Sequence, residues 1–202
     1  MHHQTTTFCS IVLALALLTP LTGCFQASPV RQYTLITESL PQASVRKAEP
    51  VTILIGPVKL ASYLDQPRIV RRHGPTRIDS RTGHQWAGNL TEMIRNKLIA
   101  EMEGLLQPSP VFPFPGTAPF TEGRRVAIDI LRFEGTDDKI AIIETRWTLY
   151  NLGDRSIIKT RSSLFQVPLA DDSYEALTTS LSEGLSRLGQ EIAASILASQ
   201  GE

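Results

Sequence analysis

The chain has 202 residues, with 20 Lys and Arg against 20 Asp and Glu, so its formal net charge is zero. The length predicts one domain, and 42% hydrophobic with 20% charged residues is an ordinary globular composition. Zero balance removes the basic excess that nucleic-acid binding uses to displace counterions, and two cysteines exclude both a disulfide-stapled scaffold and a four-cysteine zinc site.

The chain opens on an address. Ile11 to Leu18 is a run of eight apolar residues, closed by Pro20 and the turn-prone pair Thr22-Gly23. A membrane-spanning helix needs about 20 apolar residues, so the run matches the apolar core of a secretory signal peptide. It departs from the usual pattern in carrying no Lys or Arg before the run. Leu21-Thr22-Gly23-Cys24 matches the bacterial lipobox, in which the thiol of Cys24 is alkylated by diacylglycerol, the chain is cut before it, and the new amine is acylated, with palmitate for example. Each buried methylene contributes about 0.8 kcal/mol, and stable anchoring takes more than one acyl chain, which a lipidated cysteine supplies. The expected organisation is a cleaved signal peptide over 1–23, a lipidated tether over 24–30 and a single domain over 31–202. Cys9, His2 and His3 leave with the signal, so no free thiol remains. Phe25 stands where Asp would retain a lipoprotein in the inner membrane of enteric bacteria, and so favours the outer membrane, facing the periplasm.

In the domain, Gln32 to Ile36 reads as a brief strand and 37–50 as a loop with two prolines. Val51 to Ile55 is a β-branched run that Gly56-Pro57 is expected to end. Arg68 to Arg71 and Thr76 to Asp79 alternate as short strands. Asn89 to Glu103 is predicted to be a helix: Leu90, Ile94, Leu98, Met102 and Leu105 recur at helical spacing, Asn89 and Glu92 resemble a capping box, and Gly104 fits the residue after the helix. From 105 to 124 five prolines exclude a central strand or helix; Val111, Phe112, Phe114 and Phe120 on this segment either pack down or offer a partner surface. Three strands follow as an antiparallel meander, from Val126, from Lys139 to Leu152 and from Ile157 to Val167, separated by turns at Gly135–Asp138 and Asn151–Asp154. A closing helix from about Ser173 to Ala198 carries the stripe Tyr174, Leu177, Leu181, Leu185, Leu188, Ile192 and Ile196. The stripe either covers the sheet or forms an oligomer seam. The fold class is α+β, an α/β sandwich with both helices packed on one face of a mostly antiparallel sheet.

A search for chemistry finds no phosphate loop, dinucleotide fingerprint, nucleophile elbow or His-Glu-x-x-His pair. His73, Asp79 and His84 are residue types that bind transition metals, but their spacing matches no metal motif. A hydrolase triad can be drawn through Ser80 from the same residues, without a nameable oxyanion partner. No catalytic residue, metal or cofactor is therefore assigned beyond the covalent lipid of Cys24. Arg68, Arg71, Arg72, Arg77 and Arg81 form a local basic cluster that either meets anionic headgroups or an acidic partner or pairs with carboxylates elsewhere in the fold.

The stretch Ile55-Gly56-Pro57-Val58-Lys59-Leu60-Ala61-Ser62-Tyr63-Leu64-Asp65-Gln66-Pro67-Arg68-Ile69-Val70 closely resembles a signature of the ABC-type transport auxiliary lipoproteins, the PqiC/YmbA-like family. Its pattern is Gly-Pro-Val, then Tyr-Leu-Asp, x-Pro and x-Ile-Val. The lipobox soon followed by Tyr33-Thr34-Leu35 is similar too, as is Gln85-Trp86-Ala87-Gly88-Asn89-Leu90, where Gln85 replaces the usual Arg and Gly88 stands where an acidic residue is common. The resemblance implies a periplasm-facing, outer-membrane lipoprotein, itself non-catalytic. It implies work beside an MCE-domain protein and a membrane permease that move phospholipid or other hydrophobic molecules between the inner and outer membranes. Phospholipid and further copies of the chain are candidate partners in such a system. Gly56, Pro57, Tyr63, Leu64, Asp65, Pro67 and Trp86 are the candidate partner-contact or loop-structuring residues, with Asp65 expected to cap backbone amides of its loop. Two other readings stand beside this one: a structural lipoprotein supporting an outer-membrane protein or the cell wall, and a periplasmic hydrolase. The lipobox makes one direct prediction. Cys24→Ala is expected to move the protein from the membrane fraction to the soluble fraction of lysed cells, and persistent sedimentation with membranes would refute the lipid anchor.

Overall fold

The computed structural model describes residues 29–36, 50–116 and 120–200. The signal segment, the lipobox, Cys24, Phe25 and all but the last residue of the 37–50 loop lie outside the described residues. In chain order the elements are β1 (Arg31–Tyr33), β2 (Ile53–Leu60), a 3-10 turn (Ser62–Leu64), β3 (Arg71–His73), β4 (Arg77–Asp79), β5 (His84–Trp86), α1 (Leu90–Leu105), β6 (Val111–Pro113), β7 (Arg124–Thr136), β8 (Ile140–Asn151), β9 (Ile157–Pro168) and α2 (Tyr174–Ala198).

The main sheet runs β6-β2-β7-β8-β9. The β3–β4 hairpin joins the same edge of β7 as β2, at Gly135 and Thr136, beyond the end of β2. The β7–β8–β9 meander is antiparallel, as the turns predict. The rest corrects the expected topology. β2 is parallel to both β6 and β7, and β3 is parallel to β7, so the sheet is mixed rather than mostly antiparallel. The reason is the crossover. Past the end of β2 the chain runs on in the same direction and joins β7 again as β3, and it comes back beside β2, as β6 and then β7, only after α1, a connection long enough to carry those strands in the same direction. β1 and β5 form a separate parallel pair.

Two bulges keep the apolar side chains on one face. On β7, Val126, Ile128 and Ile130 point to the helices. A register shift between Ile130 and Arg132 then changes the parity, so that Phe133 and Gly135 share that face with Ile143 and Ala141 of β8. On β2 the shift lies between Ile55 and Val58. Ile53 and Ile55 face inward before it and Val58 after it, all buried. Gly56-Pro57 thus does not end the strand as expected. It forms the bulge, a place where proline's missing donor is tolerated within a sheet. Gly56 has φ of 129°, and a Cβ there would stand 2.0 Å from the carbonyl oxygen of Phe114.

Both helices lie against this face and against each other. In α1 the Asn89 side chain accepts from the Glu92 amide at 3.1 Å, as the capping signal predicts, whereas Gly104 lies inside the helix and Leu106 is the C-cap. In α2 Ser173 caps through the Ala176 amide at 3.0 Å. Its predicted stripe is buried throughout, and Gly184 lets the helix approach Ile143 of β8. The stripe therefore covers the sheet. Between the helices Lys97 and Glu101 form a buried ion pair, to which Ser186 of α2 donates at 2.6 Å.

The strained geometry of the β2 bulge gives a test. Gly56→Ala is expected to destabilise the protein by about 2 kcal/mol or more. Gly88→Ala, where a Cβ meets nothing within 4 Å, is expected to stay within about 0.5 kcal/mol of wild type. Urea midpoints of the two variants decide it.

Candidate functional site

Beyond β2 the signature loop folds as a short lock. The Ala61 amide donates to the Ile130 carbonyl of β7 at 2.9 Å, and the Leu64 amide closes the turn on Ala61 at the same distance. The turn sends its two large side chains in different directions. Leu64 enters the core with 1% of its surface exposed. The Tyr63 hydroxyl donates to Glu134 Oε2 at 2.9 Å, with the Leu131 carbonyl at 3.2 Å as a second acceptor. Gln66 Nε2 donates to the Tyr63 carbonyl at 2.8 Å, and the Trp86 amide donates to the Pro67 carbonyl at 2.8 Å. Trp86 itself is buried, with its ring 6.0 Å from that of Phe133. Asp65 corrects an expectation: it is exposed, and its carboxylate caps no amide among the described residues. Its backbone amide instead donates to Ser62.

At the centre is Glu134, with no exposed surface. The bulge of β7 turns it away from the helices. Arg72 of β3 binds it in a fork, Nε to Oε1 at 2.5 Å and Nη2 to Oε2 at 3.2 Å, and Arg132 Nε adds a third contact at 2.9 Å. Such bidentate, charge-assisted geometry fixes orientation as well as charge. Burial alone would push the Glu134 carboxyl up, but the hydrogen bonds from Arg72, Arg132 and Tyr63 outweigh it and hold the carboxyl below its ordinary value. Burial, then the Glu134 carboxylate, pushes the Tyr63 hydroxyl up to about 12, so it remains a donor. Arg72 and Arg132 also border a surface cleft of about 720 Å³, whose further lining includes Thr136, Asp137 and Asp138.

A second cluster holds the first strand. Tyr33 of β1 lies 2.8 Å from His84 Nδ1 through its hydroxyl, and His84 stacks on Tyr174 with ring centroids 3.8 Å apart. Arg71 lies over the Tyr174 ring at 4.7 Å and donates to the carbonyls of Asp172 and Ser173 at the start of α2. Burial and the charge of Arg31 lower the basicity of His84. His73 turns instead to Asp137 at 2.5 Å, with Asp79 at 3.7 Å. The two histidines therefore serve different contacts, and no group of three or more His, Cys, Asp or Glu able to hold a metal occurs among the described residues. Of the five clustered arginines, Arg72 pairs with Glu134, Arg71 with Asp172 and Arg81 with Asp79.

The structure thus brings Tyr63, Arg72, Arg132 and Glu134 together, and Pro67 with Trp86. Gly56 and Pro57 sit apart on the β2 bulge. Sequence reading missed Glu134 and Arg132. The one available signal was a glutamate between Phe133 and Gly135 in an apolar strand.

A family model described as "ABC-type transport auxiliary lipoprotein component" matches residues 33–193, so the chain belongs to that family. It is an accessory lipoprotein of ABC-type transport, and no helix among the described residues is long and apolar enough to cross a membrane. No curated protein sequence matches it significantly. Protein XCC0632 from Xanthomonas campestris shares the fold at TM-score 0.71 and 20% identity, over 83% of this chain and 95% of that one. The crystal structure of an uncharacterized protein is similar at TM-score 0.66 and 20% identity, over 81% of this chain and 99% of that one. The hypothetical protein CT253 from Chlamydia trachomatis is similar at TM-score 0.50 and 13% identity, over 73% and 95%.

Removing the Glu134 charge leaves two guanidinium groups facing each other. Glu134→Gln is expected to cost about 3 kcal/mol, and Tyr63→Phe about 1 kcal/mol, in urea unfolding at neutral pH. The native carboxyl titrates below its unfolded value of 4.5. Its stabilisation is therefore complete above that pH and is lost as pH falls toward the lower native value. The wild type should lose stability more steeply than Glu134→Gln in that window; parallel slopes would exclude Glu134 as the source.

Proposed function

We propose that this protein is an outer-membrane-anchored, periplasm-facing accessory of an ABC- or MCE-type system moving lipids or other hydrophobic molecules between the inner and outer membranes, with no catalytic activity of its own. Family membership over residues 33–193 carries the reading. The lipobox at Leu21-Thr22-Gly23-Cys24 and the residue Phe25 support the anchor and its membrane. Arg31 of β1 comes seven positions after Cys24, a reach of at most about 25 Å. The β1–β5 end of the domain would therefore stay close to the membrane surface, with Arg71, Arg81 and the Tyr33–His84–Tyr174 cluster nearby.

The lock around Glu134 supports a positioning role rather than a reactive one. Its charged groups are paired with each other, and its hydrogen bonds hold the signature loop and the β3 strand to the sheet. Rigid elements of this kind suit a component that presents a surface to partners, here an MCE-domain protein and a membrane permease.

The test is affinity purification of the acylated protein from gently solubilised envelopes, with mass spectrometry of the proteins that accompany it. An MCE-domain protein or a transporter permease is the expected companion. Recovery of a β-barrel protein or a cell-wall enzyme in their place would overturn the transport reading and favour a structural lipoprotein.

A further inference from the structure

At the end of the sheet remote from the β1–β5 pair, a groove of about 530 Å³ opens among Phe114, Phe120, Arg125, Tyr150, Leu152 and Arg155. Arg125 of β7 is its centre. Tyr150 is its cross-strand neighbour on β8, and Phe114 follows β6 on the other side of β7, bonded to Ile55 of β2. The guanidinium carbon lies 4.6 Å from the Tyr150 ring centroid and 4.9 Å from that of Phe114. Aromatic rings thus flank the guanidinium from both sides of its strand, and its hydrogen-bonding capacity is left at the edge. Its Nε is buried without a hydrogen-bond partner, and Arg125 makes no ion pair among the described residues. The turn after β8 adds Arg155, held at φ of 60°. No carboxylate is among the described residues that line the groove.

A desolvated guanidinium with free edge donors favours a planar or tetrahedral oxyanion, and an aromatic wall beside it favours an apolar body. We infer that this groove is a binding site for an anionic amphiphile, with Arg125 and Arg155 taking its phosphate or carboxylate and Phe114, Phe120 and Leu152 taking the hydrocarbon next to it. The volume is in the range of small-molecule sites. Arg125 and Gly135 stand ten residues apart on β7, roughly 30 Å at strand rise, and Gly135 pairs with Arg71 beside Tyr174. The groove is therefore at the pole opposite the tether and is reached from the periplasmic side rather than from the anchoring leaflet. Its use in transport rests on the function proposed above; its chemistry does not.

The experiment uses the full acylated protein in neutral detergent, titrated with dihexanoyl phosphatidic acid, dihexanoylglycerol or inorganic phosphate and read by native mass spectrometry. One phosphatidic acid per chain is expected, with dihexanoylglycerol and inorganic phosphate each bound at least about tenfold more weakly, since a charge-assisted contact is worth about a factor of ten or more. Arg155→Asn keeps a residue that tolerates positive φ and is expected to weaken phosphatidic acid about tenfold, as is Arg125→Gln. Unchanged affinity in a folded Arg155→Asn protein would overturn the site. Inorganic phosphate bound as tightly as phosphatidic acid would overturn the amphiphile. A wild-type protein that co-purifies with its transporter but takes no phosphatidic acid refutes the site and leaves the transport reading standing; an adduct without a transporter does the reverse.

Discussion

The rest of the fold depends on the double pairing of β7. Along one edge it carries β8 through its whole length, and along the other it carries first β2 and then β3. A thirteen-residue strand held on both sides cannot alternate uniformly and still bury Ile130 and Phe133 on one face. The bulge after Ile130 resolves this conflict. It preserves an apolar face toward α1 and α2, and the same step sends Glu134 to the opposite face. The buried carboxylate is a geometric consequence of how the strand is kept in the sheet.

A carboxylate removed from water is costly unless it is paired and hydrogen-bonded. Arg72, Arg132 and Tyr63 meet that demand from three separate segments, so satisfying one charge also fixes the position of β3 and of the signature loop. Lys97, Glu101 and Ser186 do the same between the helices. Both networks tie together elements that the chain joins only through long connections. Membership in a family of transport auxiliary lipoproteins gives such rigidity a use, because an accessory component must present its surfaces in a constant arrangement.

The molecule has two dissimilar poles. Around β1 and β5 the contacts are stacked and paired: Tyr33, His84, Tyr174 and Arg71 bind the first strand to the start of α2. At the far end Arg125 and Arg155 face a groove walled by aromatic side chains. The proline-rich segment supplies Phe114 and Phe120 to that groove. Its β6 strand is the edge partner of β2, burying Val111 while Phe112 stays 37% exposed and stacks on Phe120. Prolines thus kept the segment short and peripheral without keeping it out of the sheet.

Local sequence determined what local physics can decide. Both helices were legible from their apolar stripes, and the first also from its cap Asn89, because a period of 3.6 residues and a side-chain cap are properties of neighbours in the chain. The three-strand meander was legible from alternation and turns for the same reason. Tyr63 and Trp86 could be singled out by resemblance, but not what they touch. Tertiary structure alone decided the parallel pairing of β2, since direction is set by where the crossover lands, and alone turned Gly56-Pro57 from a strand end into a bulge, since that required β7 as a register. It also decided the partnership of Arg72 and Arg132 with Glu134 and the placement of Arg125 between Phe114 and Tyr150. Charges and rings distant in the chain meet only when strands are laid side by side, and no periodicity in a single segment encodes which strand will be the neighbour.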